Sequence, residues 1–283
     1  MTHNRPMNPC DFSVLKKHAL CYYEEKTTPL SNTMKELFER IEQAESICVF
    51  TGAGVSTFCG IPDFRGPDGI YRDPDSARLF EIDRFDDDPT FFYAHADRLV
   101  YGQANTKPGP VHLAVKALQD HANVRGVITQ NIDGLHERAG SYPVYAIHGS
   151  AALHHCRQCG DEKTFDEIQQ LRSHAPDRVP RCACGGVYKP DITFFGEMLP
   201  QAAFEEAQAL AARSDLVLVL GTSLTVQPAA TIPQYTLQNN GDMVIINASP
   251  TPQDHLAALV YRDLAAFASA TEQFIAELKS RRS

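Results

Sequence analysis

Four cysteines in two close pairs are the residues with the most specific chemical spacing in this chain. Cys156 and Cys159 are followed, after 22 intervening residues, by Cys182 and Cys184. Four thiolates in two pairs match a closed tetrahedral Zn²⁺ site, which has no open position for water and is therefore structural. A disulfide pairing or an iron–sulfur cluster is the less favoured alternative. The second pair has one residue between its cysteines instead of the commoner two, and Gly185 and Gly186 would relax that turn.

A glycine-containing loop, Thr51-Gly-Ala-Gly-Val-Ser56, follows the apolar run Ile47–Thr51. Glycines after a first strand let the backbone approach a pyrophosphate closely, so the loop predicts phosphate binding. The spacing disfavours an ordinary dehydrogenase, because five residues separate Gly54 from Gly60 and no carboxylate follows a second strand at the distance a ribose requires. A purely structural glycine turn is the alternative.

Polar side chains also follow the next two strand candidates. Gln130, Asn131 and Asp133 come directly after one apolar run, and His148 follows another. Ligands in open α/β sheets bind at the carboxyl ends of strands, and a histidine can accept a proton near neutral pH. Alternatively, Asn131 or Asp133 caps a helix and His148 is a surface or packing residue.

Three further segments carry polar groups suited to ligand binding. In Gly60–Arg65, Arg65 could hold phosphate and Asp63 a ribose or a water, although the two could simply pair with each other. Small polar groups follow two late apolar runs, in Gly221-Thr-Ser223 and at Asn247. The segment Phe194–Glu197 lines a slot or forms a packed turn.

Apolar runs alternate with helical patterns along most of the chain, which predicts a doubly wound parallel α/β sheet. The strand candidates are Ile47–Thr51, Val124–Thr129, Val144–Ile147, Leu216–Leu220 and Met243–Asn247. The helix candidates begin with a capping box at Thr33–Glu36 and continue with Pro110–Asp120, Pro200–Ala212, Val226–Gln238 with an interruption at Pro233, and Ala266–Leu278. Segments 60–108 and 154–190 break this rhythm and are predicted to fold together as a smaller domain.

Composition limits the function classes. The chain has 283 residues, 43% of them hydrophobic, with a net charge of −9, which disfavours stable binding to nucleic acid. No apolar run reaches the roughly 20 residues of a membrane-spanning helix, and no signal peptide is visible, so we expect a cytoplasmic protein that does not bind membranes. Residues 1–32 look like an N-terminal extension, and the oligomeric state cannot be inferred.

Taken together, these motifs resemble the sirtuin family of NAD-dependent protein-lysine deacylases. The resemblance extends from about Thr33 to the C-terminal helix, and several independent motifs occur in the family's order. They are GAGVS at 52–56, GIPDFR at 60–65, TQNID at 129–133, HG at 148–149, the four cysteines, KPDITFFGE at 189–197, GTSL at 221–224 and IN at 246–247. The final segment, 264–270, lacks the family's glycine-containing adenine loop.

The resemblance implies an α/β fold in which a Rossmann-like parallel sheet domain (33–65, 105–153 and 191–283) carries an inserted small helical and zinc-binding domain (66–104 and 154–190). It implies NAD and one structural Zn²⁺ as cofactors, and an acyl-lysine protein or peptide as substrate. The residues it places at NAD are Gly52, Ala53, Gly54, Thr57, Asp63, Phe64, Arg65, Gln130, Asn131, Asp133, Gly221, Thr222, Ser223 and Asn247. His148, Asn131 and Asp133 would be catalytic, and Phe195, Gly196 and Glu197 would pair with the substrate backbone.

The family's chemistry has the acyl oxygen attack the ribose carbon as nicotinamide leaves, with His148 as the general base. The acyl group then moves to ADP-ribose. Phe91, Phe92 and Leu99 suggest an apolar acyl pocket, so we expect acetyl or longer fatty acyl groups as substrates. The alternatives are a protein mono-ADP-ribosyltransferase and an NAD-hydrolysing or NAD-sensing module that uses the same pocket.

Overall fold

The computed structural model describes residues 34–66, 69–73, 76, 78–103 and 105–282. The N-terminal extension and Thr33 of the predicted capping box lie outside these ranges. Within them, no helix combines the length and the apolar character needed to cross a membrane.

A parallel sheet of six strands forms the larger part of the fold. Its strands are β1 (Ile47–Thr51), β2 (Val124–Thr129), β3 (Val144–Ala146), β7 (Leu216–Leu220), β8 (Asp242–Ile246) and β9 (Leu259–Tyr261). Their spatial order, β3-β2-β1-β7-β8-β9, is that of a Rossmann sheet, and all neighbouring strands run parallel. The predicted fold class is confirmed.

Helices cover both faces of this sheet, which explains why its central strands are continuous apolar runs. They are α1 (Lys35–Gln43), α4 (Pro110–His121), α5 (Leu135–Arg138), α7 (Gln201–Ala212), α8 (Ile232–Gln238) and α9 (Leu264–Arg282). Side chains alternate between two cores: Val49 of β1 packs with α1, α4 and α9, while Phe50 faces the core that includes α7 and α8. Pro233 does not interrupt a helix, because it lies in the first turn of α8, where its missing N–H costs nothing.

A second, antiparallel sheet accompanies the cysteine cluster. Its order is β5-β4-β6, formed by β4 (Gly149–Cys156), β5 (Glu162–Thr164) and β6 (Tyr188–Ile192). Helix α6 (Phe165–His174) lies between β5 and β6 in the chain. Helices α2 (Ile82–Asp87) and α3 (Pro89–Leu99) come earlier in the chain and share a hydrophobic core with Ile192 of β6. The predicted domain boundaries at 153/154 and 190/191 fall inside β4 and β6, so these two strands connect the two parts of the molecule. The division into two domains remains a prediction.

Candidate active site

Two loops meet where the sheet reverses its strand order, between β1 and β7. Gly54 N–H donates to the Gly221 carbonyl over 2.9 Å, and Gly221 is in the left-handed region with φ 61°. A Cβ at Gly54 would lie 2.8 Å from Gly221 Cα, and one at Gly52 would lie 2.7 Å from Thr222 Cβ. Only glycine permits this approach, and the two backbones together form the floor of a cavity at the carboxyl edge of the sheet.

The cavity has a volume of about 550 Å³. Nearly every residue that was predicted to bind a ligand lines it. They are Gly52, Ala53, Gly54, Thr57, Asp63, Phe64, Arg65, Gln130, Asn131, His148, Phe195, Gly196, Glu197, Gly221, Thr222, Ser223 and Asn247. Asp133 is the exception and does not line it. Strands far apart in sequence therefore bring these residues to one site, as their positions at strand ends predict.

Other lining residues were not identified from the sequence. Phe58, Tyr71, Ile132 and Leu199 add apolar wall, and the turn at 226–228 and the segment 262–265 complete the rim. Segment 262–265 follows β9 directly, so it too lies at the carboxyl end of a strand. It was missed because β9 has only three residues, and so short an apolar run cannot be distinguished from a loop in the sequence.

His148 lies in the cavity wall after β3, half-buried. Its Nδ1 donates a hydrogen bond to the Gln130 carbonyl oxygen over 3.0 Å, and a carbonyl can only accept, so Nδ1 carries the proton. Burial lowers the pKa of His148 below its ordinary value of 6.5, while the Gln130 hydrogen bond acts in the opposite direction. A neutral imidazole with an available Nε2 is the form that a general base needs.

Asn131 is buried in the same wall and held by three hydrogen bonds. Its amide nitrogen donates to the Gly52 carbonyl over 3.2 Å and to Ser56 Oγ over 3.1 Å, and its backbone N–H donates to Thr129 Oγ1 over 3.1 Å. These contacts leave the amide oxygen of Asn131 as the group presented to a ligand.

Asp133 lies behind Asn131 and acts on it through Ser56. Ser56 Oγ donates to Asp133 Oδ2 over 2.7 Å, and Asp133 Oδ1 accepts from Leu135 N–H over 2.9 Å at the start of α5. Both carboxylate oxygens are therefore engaged with the protein. The sequence left helix capping open for this residue; the N-cap of α5 is Gly134, and Asp133 instead holds the first residue of that helix and Ser56 in place. The fully buried Ser56 joins the site in a role that sequence spacing did not reveal.

Gln130 and Asp63 each hold a loop at the cavity wall by a hydrogen bond. Gln130 Nε2 donates to Thr222 Oγ1 over 2.9 Å and so ties β2 to the β7 loop. Asp63 Oδ1 accepts from Gly66 N–H over 2.7 Å. The Arg65 guanidinium lies 5.2 Å from the Tyr71 ring centroid at the cavity wall, so the alternative of an Asp63–Arg65 pair is not what organises this loop.

Residues 194–197 form a turn at the opposite wall of the cavity. Phe195 is already paired on one side, since its N–H donates to the Phe80 carbonyl over 2.6 Å and its carbonyl accepts from Ile82 N–H over 3.0 Å. Gly196, with φ 95°, follows in the left-handed region, and no hydrogen bond to its N–H or carbonyl is found among the described residues. Gly196 thus has a backbone N–H and carbonyl available for pairing with an incoming strand.

The four clustered cysteines fit a zinc ion. Their sulfur atoms all lie within 4.8 Å of one another, with Cys156 to Cys184 at 3.5 Å and Cys159 to Cys182 at 3.7 Å. Tetrahedral coordination at the usual Zn–S length places sulfurs about 3.8 Å apart, whereas a disulfide requires about 2.05 Å. None of the four lines the 550 Å³ cavity, so a metal here is structural.

Glycines shape the second cysteine pair as its short spacing requires. Gly185 has φ 92°, and a Cβ at Gly186 would lie 2.6 Å from Cys156 Sγ. The first glycine turns the chain directly after Cys184, and the second lets the backbone pass close to a metal-binding sulfur. With these two glycines, a spacing of one residue is enough to bring Cys182 and Cys184 to the same metal site.

Comparisons with known proteins agree with this geometry. Residues 52–228 match the model of the Sir2 family. The chain is 41% identical over 235 residues to an NAD-dependent protein deacetylase of Haloarcula marismortui, covering 81% of this chain and 89% of that protein. It is 40% identical over 237 residues to an NAD-dependent protein deacetylase of Thermotoga maritima, covering 83% of this chain and 95% of that protein.

Solved Sir2 structures superpose on the fold. One, a complex with a deacetylated p53 peptide and 3′-O-acetyl ADP ribose, has a TM-score of 0.81 at 39% identity and covers 85% of this chain and 98% of its own. Another, a complex with a p53 peptide and NAD⁺, has a TM-score of 0.79 at 36% identity and covers 88% and 99%. The cavity, the cysteine cluster and these likenesses agree, and the chain belongs to the Sir2, or sirtuin, family.

Proposed function

We propose that this chain is an NAD-dependent protein-lysine deacylase, which moves the acyl group of an acyl-lysine to ADP-ribose and releases nicotinamide. One observation carries the proposal: a neutral, oriented His148 and the Asn131 amide oxygen face the same cavity as the glycine loops and the 194–197 turn. A cofactor site, a proton acceptor and a peptide-pairing edge therefore meet in one place.

The residues around the cavity fit NAD. The floor formed by Gly54 and Gly221 has no side chain to hinder a pyrophosphate, and Ser223 and Asn247 supply polar groups at the end next to segment 262–265. When bound, NAD supplies an electrophilic ribose carbon with nicotinamide as its leaving group. Asn131 would hold the nicotinamide-side ribose in place, and Asp133 would act indirectly by fixing Ser56 and hence the Asn131 amide.

His148 would accept the proton from a ribose hydroxyl. Its Nδ1–H is engaged by Gln130, which aims Nε2 at the cavity and fixes the tautomer. Charge developing on a sugar as its glycosidic bond breaks calls for a positioned nucleophile and base, and both can be held here without a metal in the cavity. The cysteine cluster, which does not line the cavity, agrees with that division of roles.

The acyl group would enter among apolar side chains of the cavity wall. Phe58, Ile132, Phe194 and Leu199 all line the cavity. The residues that the sequence suggested for this purpose do not: Phe92 and Leu99 are buried in the core of the helical segment, and Phe91 packs against it. The acyl pocket therefore comes from other residues, although its apolar character matches the expectation of acetyl or longer fatty acyl substrates.

A mass-spectrometric assay with NAD and an acetyl-lysine peptide tests the function. We expect the peptide to lose the acetyl mass while nicotinamide and O-acetyl-ADP-ribose form in equal amounts. Nicotinamide release with an unchanged peptide would instead establish NAD hydrolysis. A peptide made heavier by ADP-ribose would establish ADP-ribosyl transfer, the other alternative for this pocket.

The adenosine end of the cavity yields a separate prediction for Arg262→Ala. Arg262 donates to the carbonyls of Asn247 and Ser249 over 3.3 and 3.0 Å and pairs with Asp254, so it ties two loops that line the cavity. Because this arginine is partly exposed, we expect KM for NAD to rise by about three- to tenfold while KM for the peptide stays constant. Steady-state kinetics with each substrate varied in turn measures this.

Arg213→Ala is the matched control for this variant. Arg213 is exposed at the C-terminal end of α7 and does not line the cavity, so both KM values should match the wild type. An unchanged KM for NAD in Arg262→Ala would remove Arg262 from the cofactor site.

We also propose a cytoplasmic location and no stable binding to nucleic acid or membranes. Clustered cysteines that form no disulfides suit a reducing compartment, and a net charge of −9 opposes binding to phosphate backbones. Cell fractionation and a gel-shift assay with duplex DNA at low salt test the two statements.

A further inference from the structure

A buried lysine lies directly beneath the 194–197 turn. The Lys189 side chain is only 8% exposed, and its ammonium donates to the Ile192 carbonyl over 2.7 Å. It lies 2.8 Å from Glu197 Oε2 and 4.1 Å from the centroid of the Phe194 ring. A charge buried this deeply needs partners, and nearly all of its partners belong to the turn or to the strand that leads into it.

The Glu197 carboxylate that Lys189 contacts also closes the turn. Glu197 Oε2 accepts from Phe194 N–H over 2.8 Å, and Glu197 N–H donates to the Phe194 carbonyl over 3.0 Å. The first and last residues of the turn are thus joined twice, once through backbone and once through side chain. Gly196 lies between these two residues, so the carboxylate contributes to fixing its backbone, together with the two hydrogen bonds of Phe195.

A second cation approaches the same carboxylate from the cysteine cluster. Arg157, placed between Cys156 and Cys159, has Nη1 3.9 Å from Glu197 Oε1. Its guanidinium also makes two hydrogen bonds to the Asp86 carboxylate, at 3.0 and 2.6 Å. Arg157 therefore connects the loop between Cys156 and Cys159 to Asp86 of α2 and to the 194–197 turn.

We propose that Lys189 and Arg157 are positioning residues for the acyl-peptide, which act through Glu197 to hold the Gly196 backbone where it can pair with the substrate strand. This inference rests on the proposed function and adds residues that do not touch the substrate themselves. It predicts that the two residues affect binding of the acyl-peptide and not binding of NAD, because neither cation contacts the glycine loops where NAD would bind.

Kinetics of Lys189→Met give the primary test. Without the ammonium, the Glu197 carboxylate, whose side chain is 23% exposed, loses its nearest cationic partner, so the turn should shift. We expect KM for an acetyl-lysine peptide to rise by about tenfold or more, a change of about 1.4 kcal/mol. KM for NAD should stay within about twofold of the wild type. Equal rises in both KM values would indicate a general loss of structure and overturn the inference.

Arg157→Gln gives a test that does not require burying a new side chain. Arg157 is exposed to solvent over part of its surface, so the variant should fold, and we expect KM for the peptide to rise by about two- to fivefold. Arg181→Gln is its matched control: Arg181 has similar exposure, pairs with Asp177 in the same cysteine-containing element and does not contact Glu197. Peptide binding that is equally weak in both variants, or unchanged in Arg157→Gln, would contradict the role given to Arg157.

A double-mutant cycle with Glu197→Gln shows whether Lys189 acts through the turn. In the Glu197→Gln background, Lys189→Met should add less than about twofold to KM for the peptide, because the contact is already gone. Full additivity would overturn the inference. Fluorescence polarisation of a labelled acetyl-lysine peptide measures the same changes without turnover, so a wild type that binds peptide but does not deacylate it would contradict the proposed function alone.

Discussion

Replacing His148 with alanine is expected to lower kcat/KM for deacetylation by about 10²- to 10⁴-fold, the usual contribution of a general base. The imidazole offers the cavity an oriented proton acceptor, since its Nδ1–H is held by the Gln130 carbonyl. NAD binding should persist, because the glycine loops and Asn131 do not depend on this side chain. Titration of NAD into the variant, beside the turnover assay, separates the two effects.

His174→Ala is a suitable control, since His174 is exposed at the end of α6 and outside the cavity. It should leave turnover unchanged. Retention of full activity in His148→Ala would exclude the base and with it the proposed mechanism.

The pH profile offers an independent check of the same role. A base acts only when neutral, so kcat/KM should fall as pH decreases through the pKa of His148 in the free enzyme. Because burial lowers that pKa, the acidic limb should lie below pH 6.5, the ordinary value for histidine. A limb centred above 6.5 would show that His148 is not the group that titrates.

The Rossmann part of the fold could be predicted because its information is local. Strands β1 and β7 are five-residue apolar runs buried along their whole length, and a short apolar run that ends at a glycine is typical of a buried parallel strand. The site followed from the same argument, since parallel strands place their carboxyl ends at one edge. The positions of Gln130 and His148 after β2 and β3 made them candidates, and the resemblance to sirtuins supplied their expected roles.

The antiparallel sheet could not be predicted in this way. Strand β4 has an apolar run of only three residues, Ala151–Leu153, and β6 carries a buried lysine and a proline, so neither shows the alternation by which a strand is recognised. Both segments form strands because they pair with each other and are held by the cysteine cluster. These contacts join residues far apart in the sequence, so a local pattern does not reveal them. The role of Ser56 was missed for the same reason, because it depends on distances to Asn131 and Asp133 across 75 and 77 residues.

Removal of the metal is the second change with a large expected effect. The hydrophobic cluster beside the cysteines contains only Cys156, Ile168 and Tyr188 as buried members, too few to hold this element without a cross-link. Structural zinc contributes about 10–16 kcal/mol to the folding of zinc-finger peptides, so its loss should exceed the stability of this element. We expect the Rossmann sheet to stay folded while β4, β6 and the 194–197 turn lose order.

The Cys159→Ser variant tests this expectation, because Cys159 is an exposed member of the cluster and its loss leaves no cavity in a core. Elemental analysis should find about one zinc ion per wild-type chain and far less in the variant. The first thermal transition should fall by more than about 10 °C, and peptide binding should be lost. Cys59→Ser, outside the cluster, should keep its zinc and its melting curve. A Cys159→Ser protein that melts and binds peptide like the wild type would show that the cysteines do not hold a structural metal. The contact from Arg157 to Glu197 would then have to be maintained without a metal beside it.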